Sequence, residues 1–223
     1  MPAVRLDLFG TANVGAFCFA NDNYLIVPRD LPPKTLSSLE EALQVKVIET
    51  TISGSVLIGI FIAGNSNGIV VPSTIYDEEL DFLKKELSLN IVKITSKKTA
   101  LGNLVLANDK AAMISTELTK SEAKLISDAL GVEVVKGSLA GFTSIGAIAV
   151  VTNKGMLVHP KATEDELKQL REIFKVPVDT STVNRGSPLL RIGMVANSKG
   201  AALGIMTTGH ELAHIEASLG ITR

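Results

Sequence analysis

A glycine that opens an apolar run recurs at Gly15, Gly59, Gly102, Gly146 and Gly193, so the chain repeats about every 44 residues and five copies nearly exhaust its 223 residues. A unit of that size cannot bury its own apolar face and must stack on its neighbours, which makes the chain one repeat architecture. Any motif has to be judged against what the repeat already demands at its position.

Each copy has the same order of elements. An apolar strand follows the glycine, as in residues 59–63, and an Asn-led polar turn closes it at Asn21, Asn65, Asn108, Asn153 and Asn197. Asn and Gly tolerate the backbone of tight hairpins, so Asn65-Ser-Asn-Gly68 and Asn153-Lys-Gly155 predict β-hairpin joints to a second strand. An amphipathic helix comes next. Its apolar stripe keeps the spacing i, i+3, i+7 in Leu36/Leu39/Leu43, Leu80/Leu83/Leu87, Ala123/Ile126/Leu130, Leu167/Leu170/Phe174 and Leu212/Ile215/Leu219. Glu79, Glu122, Glu166 and Glu211 precede the last four stripes, where an acidic side chain complements the helix dipole. A third strand returns after the first four helices.

The fifth copy ends at its helix, and Val4 to Leu8 alternates apolar and polar residues as a third strand would. The N-terminal strand is therefore expected to complete the last unit and close the ring, which removes the open sheet edges of a five-unit array. The expected fold is α/β, with ββαβ units of about 13–54, 55–99, 100–143, 144–190 and 191–223 plus 1–12 around a pseudo-fivefold axis, forming one domain over 1–223.

The formal net charge is −1 and aromatics are 4%, which argues against a broad electrostatic or base-stacking nucleic-acid binder. No apolar run approaches the about 20 residues of a membrane span. A single cysteine and the absence of a basic, apolar leader point to the cytoplasm.

Two motifs suggest chemistry. His210-Glu211-Leu-Ala-His214 matches the zinc-binding H-E-x-x-H signature, yet Glu211 is a repeat position and both histidines point away from the apolar stripe. Cys18 could be the nucleophile of a guanidino-modifying enzyme of ring type, but three residues past each glycine the other copies carry Ile62, Val105, Ala149 and Ala196, so the slot is apolar. His159 sits level with Val27 and Val71 at a strand end. Departures from the repeat stand out more: Asn103 directly after its glycine, and Thr182-Val-Asn-Arg-Gly-Ser187 in the longest unit.

Leu101-Gly-Asn103, Gly64-Asn-Ser-Asn-Gly68 with Val71-Pro72, Leu157-Val-His-Pro160, Thr182 to Ser187, Gly193-Met-Val195 and Thr207-Thr-Gly-His-Glu-Leu212 resemble the translation initiation factor 6 family. The resemblance implies a pentein fold and a non-enzymatic ribosome anti-association factor without cofactor or metal. It implies binding to the intersubunit face of the large ribosomal subunit, on a ribosomal protein near the sarcin–ricin loop and in reach of that rRNA loop, as a monomer. A part in large-subunit maturation goes with it. Asn103 carries the contact role, with Asn65, Asn184 and Arg185 beside it. Ile60 holds the slot where eukaryotic members carry a basic residue, and the eukaryotic C-terminal tail is not found after Arg223, so the resemblance is to an archaeal type. The guanidino-modifying enzyme and the zinc hydrolase stay as alternatives.

Overall fold

The computed structural model describes residues 3–221 and sets five three-stranded sheets in a ring. In the first unit Phe19–Ala20 pairs antiparallel with Tyr24–Pro28, and Lys46–Thr50 lies parallel to Tyr24–Pro28 on its other side. The same inner, middle and outer order recurs in the other units, for example in Ala63–Gly64, Gly68–Pro72 and Asn90–Ile94. A parallel pairing of middle and outer strands needs a crossover, and the amphipathic helices supply it. They span Pro33–Leu43, Asp77–Glu86, Lys120–Leu130, Glu164–Phe174 and Gly209–Ser218.

Local chemistry fixes the helix ends. Thr119, Thr163 and Thr208 each accept from the backbone N–H of Glu122, Glu166 and Glu211, whose carboxylates return to the threonine N–H, forming capping boxes. Left-handed residues Gln44, Gly131 and Lys175 end three of the helices.

Each core joins residues of two neighbouring units. Ile126 and Leu130 of the third helix pack on Ala63 and Val70 of the second unit. Leu170 and Phe174 pack likewise on Leu106 and Met113, and Leu39 and Leu43 pack on Val195 and Ala202. Every helix therefore covers its neighbour's sheet, so each apolar stripe has a home only when the ring is closed. Ala3–Leu6 closes it by pairing parallel with Ala201–Gly204, in the register Arg5↔Leu203, as the outer strand of the fifth sheet. Arg5 Nη1 fastens the joint through the carbonyl of Thr207 at 2.9 Å.

The repeat glycines do not open strands directly. Gly15, Gly59 and Gly102 lie in one-turn helices Val14–Phe17, Ile58–Phe61 and Leu101–Leu104, and the inner strands begin after those turns. Contact across the ring is the reason. A Cβ on Gly59 would lie 1.9 Å from the carbonyl oxygen of Gly15, one on Gly102 2.0 Å from that of Gly59, and one on Gly146 2.2 Å from that of Gly102. The glycine backbones touch in succession around the axis, where no side chain fits.

This contact also corrects the fifth position. A Cβ on Gly15 would meet the carbonyls of Arg191 and Met194, as one on Gly59 meets those of Gly15 and Cys18. Arg191, not Gly193, is thus level with the repeat glycines, and Met194, not Ala196, is level with Cys18. Similarly Thr152, not Asn153, leads the fourth turn, because its N–H donates to Gly155 as that of Asn65 does to Gly68. His159 follows the strand Met156–Val158 and is level with Pro28 and Pro72, one place later than the apolar pattern suggests.

Candidate functional site

The ring has two unlike ends. At one, a chain of amides links the units: Asn21 Nδ2 donates to the carbonyl of Asn65 at 2.8 Å, Asn65 to Asn108 at 3.0 Å, and Asn108 to Thr152 at 3.2 Å. Asn197 donates to Asn21 at 3.1 Å. Asn65 also satisfies the helix-end carbonyl of Leu130 and accepts from the N–H groups of Asn67 and Gly68. It is 3% exposed, so its amide is committed to the ring. The expected contact role of Asn65 has no free group behind it.

The opposite end carries the tight turns between the outer strands and the next units, together with the one-turn helices and the N-termini of the long helices. Bridges Leu8↔Thr11, Ile52↔Ser55, Leu139↔Phe142 and Val183↔Ser187 close four of these turns. The last spans one residue more than the others, which accounts for part of the length of its unit. Phe9, Tyr76, Phe142, Leu189, Ile205 and Met206 are exposed at this end, whereas Leu125 on a long helix is the one large exposed apolar side chain away from it among the described residues. The large exposed apolar side chains of the described residues are thus concentrated at one end of the ring.

Ile60, Asn103, Asn184 and Arg185 all lie at this turn end. Ile60 is half-buried on a one-turn helix. Asn103 is its equivalent in the third unit, and its Oδ1 is buried without a hydrogen-bond partner. A buried acceptor left unpaired costs free energy, so this oxygen adds nothing to the hydrogen bonding that holds the fold. Asn184 is different. Its Nδ2 donates to the carbonyl of Ala12 at 2.8 Å and its Oδ1 accepts from Thr207 at 3.2 Å, so the amide is turned into the closing seam. A Cβ on Gly204 would lie 2.3 Å from that Oδ1, so Gly204 makes the space. Arg185 is exposed.

The residues that suggested catalysis are engaged otherwise. Glu211 accepts from the N–H groups of Arg185, Gly186 and Thr208 and from the hydroxyls of Thr182 and Thr208. These donors outweigh its partial burial and hold its pKa down to about 2, which removes it as a general base near neutrality. His214 Nε2 meets the carbonyl of Thr180 at 2.9 Å, and His210 is exposed. Among the described residues no group of three His, Cys, Asp or Glu side chains is placed to hold a metal ion.

Cys18 is buried beside a narrow axial cavity of about 30 Å³, and burial pushes its thiol pKa far up. Space for little more than one water cannot admit a guanidino substrate. Arg191 lines that cavity: its Nη2 donates to the carbonyl of Ile62 at 3.0 Å and its guanidinium lies 5.9 Å from the ring centre of Phe19. Burial lowers its pKa to about 10, which leaves it charged at neutral pH. The signal for Arg191 in the sequence is its distance from the turn: six residues before Asn21, Asn65 and Asn108 stand Gly15, Gly59 and Gly102, and six before Asn197 stands Arg191.

A closed ring of ββαβ units is a pentein, and in this one Glu211, His214 and Cys18 are held by structure, while one end presents exposed apolar side chains beside polar ones. The chain matches the eIF-6 family over residues 3–218 and belongs to that family. It is 45% identical over 218 residues to Translation initiation factor 6 of Saccharolobus islandicus, covering 97% of this chain and 98% of the relative. The same named factor of Pyrococcus abyssi is 45% identical over 222 residues, with 97% and 98% covered. That of Methanosarcina mazei is 40% identical over 215 residues, with 96% and 97% covered. Among solved structures, a C. jejuni agmatine deiminase resembles it at a TM-score of 0.39 and 16% identity, over 56% of this chain and 49% of its own. DDAH from Pseudomonas aeruginosa does so at 0.43 and 13%, over 75% and 68%. The family makes this protein a translation factor and not an enzyme.

Proposed function

We propose that the protein binds the free large ribosomal subunit on its intersubunit face through the turn end of the ring and so keeps the small subunit away. The amide of Asn103 carries this reading: on the turn end its Oδ1 makes no hydrogen bond within the protein, and a partner's N–H or O–H can pair with it once docking turns the half-buried side chain outward. The apolar rim and the exposed Arg185 lie at the same end. A formal net charge of −1 favours a protein surface, the ribosomal protein beside the sarcin–ricin loop, over a contact dominated by rRNA phosphates.

No chemical step is required. A factor that binds the free large subunit and not the joined ribosome shifts the association equilibrium by mass action. The reading includes a cytoplasmic monomer and a part in large-subunit maturation. No helix among the described residues is long and apolar enough to cross a membrane.

Co-sedimentation with purified large subunits tests the reading. Wild-type protein is expected to travel with the large subunit and Asn103→Ala to stay at the top of the gradient. Absence of wild-type protein from the large-subunit fraction overturns it.

A further inference from the structure

The turn from Val183 to Ser187 differs from its counterparts in the backbone it must hold. The others place one non-glycine residue and then a glycine at positive φ: Phe9 and Gly10, Ser53 and Gly54, Ala140 and Gly141. Here Asn184 at 53° and Arg185 at 63° are consecutive, followed by Gly186 at 94°. Two successive side-chain-bearing residues in the left-handed region are unfavourable on their own and persist only where surrounding groups over-determine them.

The groups that do so are identifiable. The inward amide of Asn184 fixes the first residue, through Ala12 and Thr207. Glu211 fixes the second: its Oε2 accepts from the Arg185 N–H at 3.1 Å and its Oε1 from the Gly186 N–H at 2.8 Å. A second anchor on Thr182 Oγ1 at 2.9 Å holds the segment leading into the turn. Glu79 treats the turn at Ser53 in the same way, accepting from the N–H groups of Ser53 at 2.6 Å and Gly54 at 2.9 Å, but no side chain of that turn carries a charge. The glutamate clamp is thus a repeated device, and only in the last unit does it grip the backbone of an exposed arginine.

We propose that Glu211 is a positioning residue for ribosome binding: by clamping the amides of Arg185 and Gly186 it sets the direction in which the Arg185 guanidinium leaves the ring. The inference rests on the reading of the turn end as the ribosome-binding face. Relaxing Arg185 to a right-handed backbone swings its Cα–Cβ bond away, so Arg185 is aimed only while the clamp holds. The glutamate of the H-E-x-x-H sequence acquires a role that needs no metal.

The test compares wild type with Arg185→Ala, Glu211→Gln, the double variant, and Glu79→Gln as a control for loss of an equivalent clamp. Two readouts are taken: affinity for purified large subunits, and the rate of tryptic cleavage after Arg185, which needs no ribosome. Glu211→Gln is expected to speed that cleavage and to weaken binding about tenfold, as loss of one oriented charged contact would. The double variant is expected to bind no worse than Arg185→Ala, and Glu79→Gln to bind like wild type at a similar melting temperature to Glu211→Gln. Arg185→Ala binding like wild type overturns the contact role of Arg185 and the positioning role with it. Weakened Arg185→Ala beside unaffected Glu211→Gln, additive losses in the double variant, or unchanged cleavage overturns the positioning role alone.

Discussion

Arg191 donates through Nη2 to the carbonyl of Ile62, 3.0 Å away in a unit that is not its neighbour in the ring. It does so from the position at which the other four units carry a glycine. One side chain thus ties the fifth unit to the second through the axis. The N–H of Arg191 still donates to Ala147, at 3.2 Å, as that of Gly146 does to Asn103 at 2.9 Å.

Removing the tie leaves a carbonyl without its donor and enlarges the axial cavity. Arg191→Gly is expected to destabilise the protein by about 1–3 kcal/mol. Arg191→Met keeps most of the volume and removes a buried cation, so it should cost less. Urea unfolding of both variants checks the order; a Met variant weaker than the Gly variant would show that the charge itself stabilises the ring.

The glycine contacts make a sharper contrast. Gly59→Ala sets a methyl against backbone, 1.9 Å from the Gly15 carbonyl, and should cost upward of about 3 kcal/mol or prevent folding. Gly209→Ala lies at the first position of a helix with nothing within 4 Å and should be neutral or stabilise by up to about 1 kcal/mol. Thermal melts of the pair measure this directly.

These two glycines show what could be read from the chain and what could not. The unit order, the helix stripes and the closing strand followed from periodicity, because burial imposes periods of 3.6 and 2 on the residues themselves. The slot of Arg191 did not, since a close backbone approach leaves no pattern in residue type once one copy departs, and Gly193 two places on offered a false match. Asn65 and Asn184 looked like surface amides because sequence gives no direction to a side chain; both turn inward to satisfy backbone. The one-turn helices read as strands because four apolar residues carry no period.

Acid should act through two groups in separate windows. Burial and the neighbouring Lys161 lower the pKa of His159, whose Nδ1 accepts from the Lys161 N–H. The neutral ring is the folded form, so its contribution is present above the unfolded pKa of about 6.5 and is lost as pH falls below it. Ser115 accepts the equivalent N–H, that of Glu117, in the third unit, so His159→Ser should fold and flatten this segment of the stability curve. Glu211, with its pKa depressed to about 2, contributes above the unfolded value of 4.5 and loses that contribution between the two as pH falls. Denaturant midpoints measured from pH 7 to pH 3 separate the two; a curve unaltered by either His159→Ser or Glu211→Gln would contradict both assignments.

Asn103 should separate stability from function. Its orphaned Oδ1 means that Asn103→Ala keeps or raises stability, by up to about 1 kcal/mol, while binding to the large subunit is lost. Melting temperature and affinity measured on the same preparation check this, and a variant that loses stability and binding together would make Asn103 a structural residue.

The most direct test of the turn end as the binding face is a subunit-association assay with two charge reversals at opposite ends of the ring. Arg185→Glu changes the turn end, and Lys110→Glu changes an exposed side chain at the amide end. Purified subunits are mixed with each protein and resolved on a gradient. Wild type and Lys110→Glu should hold the subunits apart while Arg185→Glu allows them to join; joining with Lys110→Glu and separation with Arg185→Glu would place the binding face at the wrong end.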